Sequence, residues 1–577
     1  MSAGVEAPLV RHFDLLATAP GGVARLRELI LTLAVQGKLV PQDPADEPAS
    51  VLLQRIRAEK DRLIAKGKLK RDKDSASIDD GEVPFDLPST WAWVCLAELL
   101  PDFQNGASSR GDVGGRLITV LRLADIKQRR VSLADTRQIP ISENDVEKYA
   151  LNEGDILVTR VNGSADIVGQ FNLCDRPLEA IYCDHFIRLR INKQWFDPRF
   201  CALLSESPLV RRRIQGLFIT TAGQKTVNQG HISSLPFPLP PLTEQSRIVT
   251  RVEELMRLCD ALEQQRQLET AQHAQLLNTL LGTLTDCTSP DELAANWQRV
   301  SDHFDLLLDR PEAVDALEQT ILQLAVRGLL VPQDPADEPA SVLLQRIRAE
   351  KDRLIAAKKI KRDKPLPPIN DEDISYDAPT GWEWVRVGEL VNSSEAGWSP
   401  SCIGTPRRAG HWGVLKVSAV SWGKFDPEAN KELPADLQPR PEYEVRPGDF
   451  LLSRANTAEL VARSVVVDAV DARLMLSDKI IRLDVARLID REYINFCNNS
   501  ANARTYYAIN ASGTSSSMKN VSREVVLNLP IALPPLAEQT RIVARVTQLR
   551  DLCTTLRQRL AAAQTTQRHL AEALVEI

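Results

Sequence analysis

LVPQDPADEPASVLLQRIRAEKDRLIA, residues 39–65, returns letter for letter as residues 330–356. The 27 identical residues are displaced by 291, and most of the chain between the two copies differs. The displacement holds on both sides of the block. HFDLL (His12 to Leu16) returns from His303 to Leu307, and LILTLAVQGKL (29–39) returns as TILQLAVRGLL (320–330). Trp91-Ala92-Trp93-Val94 returns as Trp382-Glu383-Trp384-Val385. The offset then becomes 294: LPFPLPPLTEQSRIVTRV begins at Leu235 and LPIALPPLAEQTRIVARV at Leu529. A period this long is a domain duplication rather than a solenoid repeat. The chain reads as two tandem units, roughly 1–290 and 291–577, each with a helical leader, a diverged middle and a helical tail.

In the leader, Leu26, Ile30 and Leu33 form an apolar stripe that Gly37 stops. Asp46-Glu47-Pro48 starts a second helix, on which Leu52, Ile56 and Leu63 share a face. In the tails, Ile248, Val252, Leu255, Cys259 and Leu262 are spaced 4-3-4-3, as are Ile542, Val546, Leu549, Cys553 and Leu556. These are heptad seams, and the simplest partner for one is the other, although each could equally face an ordinary core. A tail of ~40 residues would span ~60 Å. The middles alternate short β-type runs (AIYCDHFIRLRI, SVVVDAV, KIIRLDV) with Gly/Asn/Ser loops and read as mixed α/β globules.

Formal net charge is −6, with 71 basic and 77 acidic residues, which argues against coating nucleic acid through bulk charge. It leaves a local basic face open: residues 84–235 hold 18 Lys/Arg against 17 Asp/Glu. Nine cysteines without a CxxC pair fit reduced thiols in a cytoplasm, and seven scattered histidines predict no metal site. The first residues lack a basic segment followed by an apolar one, so no signal peptide is expected, and no apolar run approaches the ~20 residues of a membrane span. No phosphate loop, GxGxxG, GxSxG elbow or nucleophile–base pattern occurs.

The middles share a few polar positions. Gly154-Asp155-Ile156-Leu157-Val158-Thr159-Arg160-Val161-Asn162 aligns with Gly448-Asp449-Phe450-Leu451-Leu452-Ser453-Arg454-Ala455-Asn456, a turn and strand ending in an R-x-N loop. Lys225 of GQKTVNQ aligns with Lys519 of SMKNVSR. Such side chains donate to phosphates and base edges, or they tie down a turn.

LPPL-x-EQ-x-RIV-x-RV leading into a heptad helix, twice, together with diverged middles each introduced by W-x-W-V, resembles the specificity subunit of type I restriction–modification systems. The repeated leader is similar to one branch of that family, and the match spans essentially the whole chain. The resemblance implies an α+β fold of two target recognition domains joined by long helices in an antiparallel coiled coil with pseudo-two-fold symmetry. The expected divisions are 1–83 leader, 84–240 first recognition domain, 241–290 central helix, 291–371 repeated leader, 372–533 second recognition domain and 534–577 C-terminal helix. It implies a non-catalytic chain that binds double-stranded DNA at a bipartite, gapped site. The implied partners are two modification subunits and restriction/motor subunits, which would carry S-adenosylmethionine, ATP and Mg. Half-sites ~34 Å apart would then be met from one side of the duplex, with helix length setting the gap. One added heptad would move a recognition domain by ~10 Å. The alternatives are a coiled-coil scaffold whose middles bind peptides or other proteins, and a stand-alone enzyme with an unrecognised site.

Residues matching between the middles cannot encode two different half-sites. Arg160, Asn162, Lys225, Arg454, Asn456 and Lys519 are therefore candidates for phosphate contact or loop scaffolding. Base readout is expected where the loops differ. Gln104, Asn105 and Arg110 stand opposite a stretch containing Ser399, and Arg122 and Lys127 stand near Lys416, Ser418 and Trp422. Gln224 and Asn228 differ from Met518 and Ser522. The identical block lies outside the middles, as expected of a surface that docks two copies of one partner, with Arg55, Arg57, Arg346 and Arg348 as contacts. Recent duplication is the other explanation.

Overall fold

The computed structural model describes residues 13–69, 85–108, 111, 114–127, 129–221, 223–287, 289–362, 364–421, 423–513 and 518–575. They fall into two compact units: Met1–Glu269 with Gln564–Ile577, and Thr270–Ala563.

In unit 1 the leader forms α1 (Gly22–Val35) and α2 (Ala49–Ala65). Leu26, Ile30, Leu52 and Ile56 are buried in one core, as the apolar spacing predicts. Gly37, with φ +70°, ends α1, and a Cβ there would lie 2.6 Å from Pro88 and 3.1 Å from the Trp91 ring. The glycine thus satisfies both the left-handed turn and the close seat of the first tryptophan. The Trp strand Ala92–Cys95 pairs antiparallel with Pro236–Leu239, so the globule begins and ends on adjacent strands.

Between them lies a sheet of β1 (Asp102–Asn105), β2 (Ile126–Lys127), β3 (Arg130–Val131), β4 (Ile156–Thr159), β5 (Phe171–Leu173) and β6 (Phe186–Arg190), ordered β1-β6-β4-β5-β3-β2. The chain then enters α3 (Leu242–Thr285), whose Ile248, Val252 and Cys259 join the unit 1 core together with Ala571.

Unit 2 repeats the plan. Its leader helices are α4 (Pro311–Val326) and α5 (Ala340–Ala356). Its Trp strand Glu383–Arg386 pairs with Pro530–Leu533. Its sheet holds β7 (Val391–Ala396), β8 (Phe450–Ser453), β9 (Ser464–Val466) and β10 (Ile480–Val485) in the order β7-β10-β8-β9. This order is that of β1-β6-β4-β5. The chain closes with α6 (Leu536–Val575), whose Ile542, Val546 and Cys553 share the unit 2 core with Leu277, Leu281 and Leu284 of α3. Each unit thus holds the start of one long helix and the end of the other.

The identical leader block has an internal task. In unit 1 the buried Glu244, in the first turn of α3, accepts from Trp91 Nε1 (3.0 Å) and from Gln42 Nε2 (2.6 Å), while Asp46 pairs with Arg247 at 2.5 Å. In unit 2 Glu538 accepts from Trp382 Nε1 (2.9 Å) and Gln333 Nε2 (2.7 Å), and Asp337 pairs with Arg541 at 2.6 Å. Gln42/Gln333 and Asp46/Asp337 belong to the repeated 27 residues, so part of that constancy belongs to a clamp between leader and tail.

One leader contact is reversed in charge between the units. In unit 1 Arg27 of α1 reaches Asp260 (2.8 Å) and Glu263 (2.9 Å) on α3. In unit 2 the position of Arg27 is Glu318, which meets Arg550 (3.0 Å) and Arg557 (3.1 Å) on α6, and Arg557 holds the place of Glu263.

Candidate nucleic-acid interface

Strand β4 runs into Arg160, and the residues after it form a short ladder. Val161–Asn162 pairs antiparallel with Gln224–Thr226, placing Lys225 opposite Asn162. The Arg160 N–H donates to His185 O (2.7 Å) and its carbonyl accepts from Val227 N–H (2.9 Å). Unit 2 builds the same ladder: Asn456 stands opposite Lys519, Arg454 N–H donates to Lys479 O (2.7 Å), and Arg454 O accepts from Val521 N–H (2.9 Å). The matched R-x-N and Lys positions, about 60 residues apart in each middle, are neighbours in both units.

Their side chains divide into two kinds. Asn162 Oδ1 accepts from Ser164 N–H (3.0 Å) and Lys225 Nζ donates to Gly163 O (3.0 Å). Asn456 Oδ1 accepts from Thr457 N–H (2.9 Å), its Nδ2 donates to Ser421 Oγ (2.9 Å), and Lys519 Nζ donates to Gly513 O (2.6 Å). These four side chains hold loops in shape. The arginines are freer. Arg160 reaches only the Asp184 carbonyl at 3.5 Å, and the exposed Arg454 guanidinium has no partner among the described residues. His185 and Lys479, both exposed, stand beside the two arginines at the entry to the neighbouring strand.

The segment Tyr182-Cys183-Asp184-His185 is the spine on which the differing loops meet. Ala107 N–H donates to Tyr182 O (2.8 Å), Cys183 N–H to Leu121 O (3.1 Å) and Asp184 N–H to Ala107 O (3.0 Å). In unit 2, Gly397 and Trp398 N–H groups donate to Ser477 O (3.1 Å) and Leu476 O (3.0 Å). The loop after Asn105 and its counterpart before Ser399 thus approach the R-x-N ladder from the same side. Gly106 and Gly397 make that approach possible. A Cβ would stand 2.0 Å from Cys183 O and 1.9 Å from Leu476 O. Gly397→Ala is expected to displace this loop at a cost of about 1–3 kcal/mol. Its discrimination between duplexes should suffer more than its affinity for DNA in general, as competition binding would read. Equal losses of both would detach the loop from recognition.

The remaining candidates have mixed surroundings. Asn105 Oδ1 accepts from Gln229 Nε2 (3.0 Å), and Gln104 Nε2 donates to Asn105 O (3.1 Å). Arg122 is held by Asp125 (3.1 and 3.2 Å) and by Asp135 O (2.9 Å), whereas Lys127 is exposed on β2. Ser399 is bonded to Asp478, beside Lys479. Lys416 and Ser418 are half-buried on the turn that ends at Ser421, next to Asn456. Asn228 and Ser522 both cap short helices, accepting from His231 N–H (2.9 Å) and Val525 N–H (3.1 Å). Their difference in sequence therefore exchanges one good N-cap residue for another. Gln224 and Met518 are exposed at the ladder, while Arg110 and Trp422 lie outside the described residues.

Two positioning arginines carry no obvious signal in the sequence. Arg211 donates to Ala165 O (2.9 Å) and Val168 O (3.1 Å), and its counterpart Arg504 donates to Val461 O (2.6 Å) and Ala462 O (3.1 Å). Each locks the loop following the R-x-N motif. Burial pulls the Arg504 guanidinium down to about 10, so it stays charged at neutral pH.

The family model described as Type I restriction modification DNA specificity domain matches this chain twice, at residues 126–271 and 437–563. Both matches contain the whole R-x-N ladder of their unit. The type I restriction enzyme EcoEI specificity subunit of Escherichia coli is 39% identical over 573 residues, covering 96% of this chain and 93% of that one. The chain belongs to the type I restriction enzyme specificity subunits. The EcoAI specificity subunit of Escherichia coli is 34% identical over 584 residues, again covering 96% and 93%. Among solved structures, the HsdS subunit from Thermoanaerobacter tengcongensis is similar at 18% identity and a TM-score of 0.38, over 85% of this chain and 97% of that one. The specificity-subunit reading prevails over the coiled-coil scaffold. Among the described residues, no helix of this subunit is long and apolar enough to cross a membrane.

Proposed function

We propose that each unit of this specificity subunit reads one half of a bipartite, gapped DNA site. The observation that carries the proposal is the repeated ladder. The same R-x-N and Lys positions are held on the same strand order, while the loops that approach them differ. Equal parts suit the phosphate backbone, which is the same at both half-sites, and unequal loops suit base edges, which are not. Arg160 and Arg454, with His185 and Lys479, take the phosphate role. Gln104, Asn105 and Ser399, with Lys416 and Ser418, lie on or beside the loops left for bases.

In this reading the chain has no catalytic centre of its own and works in the cytoplasm. Methyl transfer from S-adenosylmethionine belongs to two modification subunits, and ATP- and Mg-dependent cleavage to restriction subunits. The leaders' exposed α2 and α5 faces are the docking surfaces. Among the described residues, Arg55, Arg57, Arg346 and Arg348 there pair with the nearby acids Glu47, Glu98, Glu338 and Glu389, and exposed pairs of this kind are readily exchanged for a partner's.

Mapping methylated adenines in host DNA with and without this chain tests the proposal. A two-part motif separated by unspecified bases should be present with the chain and absent without it. A methylation pattern unchanged by deletion would reject it.

A further inference from the structure

Unit 2 contains a second basic surface, apart from the ladder. An open groove of ≈ 1240 Å³ runs between the end of leader helix α5 and the edge of the globule. Lys359, Lys361, Arg362 and Lys364 form one lip, and Arg523 stands on the other side. None of these five has a charged partner among the described residues. Of the four acids lining the groove, Glu389 is paired with Arg348 (2.7 Å) and Asp484 accepts from Asn392 (3.3 Å), leaving Asp352 and Glu524.

The lip is anchored. Arg386, only 5% exposed, donates to Pro367 O (2.8 Å), Pro368 O (2.9 Å), Asn528 O (2.7 Å) and Asp373 (2.6 Å), fixing the prolines that follow the basic run. The groove is also continuous with the ladder. Asn392, Ser393 and Ser394 of β7 line it, and the same strand leads on to Gly397 beside the spine. At ~3.3 Å per residue that is ~10–15 Å, or about three to five phosphates of one strand. Arg523 follows Lys519 by four residues, on the helix that Ser522 caps. The run K-[LI]-K-R-D-K recurs in both leaders, at 68–73 and 359–364.

We propose that this groove holds the phosphodiester backbone of the duplex flanking the second half-site, as a sequence-independent contact outside the base-reading loops. The proposal rests on the DNA-reading role given above. A backbone of evenly spaced monoanions matches a row of unpaired cations, and the row needs no base edge to be useful.

The test is a salt titration of duplex binding by the full chain assembled with its modification subunits. One probe is a 30-bp duplex carrying the mapped methylated motif, the other a scrambled 30-bp duplex. With Lys359, Lys361, Arg362 and Lys364 all changed to Gln, the log–log salt slope should shrink by about 3–4 on both probes. Affinity should fall at least about tenfold on each, with the ratio between them kept. Changing the three lysines to Arg should preserve the slope. The single variant Arg362→Gln, expected to lower the slope by about 1, covers the case in which the fourfold variant misfolds. An unchanged slope overturns the proposal, as does loss of modification-subunit copurification with DNA binding intact in what assembles, which would assign the groove to an acidic protein segment. If the unaltered complex fails to prefer the motif duplex, it is the DNA-reading role itself that falls.

Discussion

Glu538→Ala is expected to destabilise the second unit by about 3–5 kcal/mol. The carboxylate is 1% exposed and accepts from both the Trp382 indole and the Gln333 amide, so truncation strands the buried indole N–H and opens a cavity, while the exposed Gln333 amide keeps Gly328 O (3.0 Å). Glu538→Gln keeps the volume and one acceptor and should cost about 1 kcal/mol. Glu244→Ala should act equally on the first unit, through Trp91 and Gln42. Urea unfolding of the full chain, followed by tryptophan fluorescence, reads both, and losses below about 1 kcal/mol for both alanine variants would remove the clamp from the account of stability. The clamp also has a pH signature. Burial, opposed by the Trp382 and Gln333 hydrogen bonds, pushes the Glu538 carboxyl above the ordinary range, so the folded state holds that proton more tightly than the unfolded state. Its contribution to stability is therefore full below the ordinary carboxylate pKa and declines as pH rises to the shifted one. Glu538→Gln should flatten that decline.

The double variant Arg160→Ala, Arg454→Ala should lose about one to two orders of magnitude in affinity for duplex DNA, on motif and scrambled probes alike. Each arginine is the least committed cation of its ladder, and loss of one phosphate contact lowers the salt slope by about 0.9. Arginine-to-lysine changes should retain most of the slope. A loss confined to one base position would make these residues base readers and reverse the assignment.

The duplication and the two seams were legible because they repeat. Ile248, Val252 and Cys259 are buried in the core of unit 1 and Ile542, Val546 and Cys553 in that of unit 2, so each seam faces its own globule, whereas the repetition alone suggests the other seam as its partner. The position of Lys225 opposite Asn162 was not legible, since antiparallel pairing over about 60 residues of separation leaves no local period. The spine was hidden for another reason. Asp184-His185 and Asp478-Lys479 match in position, yet their task is performed by backbone groups, which any residue supplies. Arg211 and Arg504 leave no such signal, because a half-buried arginine bonded to carbonyls looks, in sequence, like any surface arginine. The leader's constancy suggests an outward docking surface, and the Gln42 and Asp46 contacts give it an inward task as well.

The reversed charges at Arg27 and Glu318 bear on how a chain with two almost identical leaders avoids misassembly. While the chain folds, either leader could in principle settle on either tail, since the clamp residues are the same in both. A leader bearing Glu318 laid on the tail bearing Asp260 and Glu263 would meet like charge, as would Arg27 against Arg550 and Arg557. At half-exposed positions each correct pair is worth only up to about 1 kcal/mol, and a wrong one forfeits that and adds repulsion of similar size. Such a difference biases the outcome by roughly tenfold per leader. It labels the two halves of a repeated chain by sign, leaving the shared clamp free to remain the same.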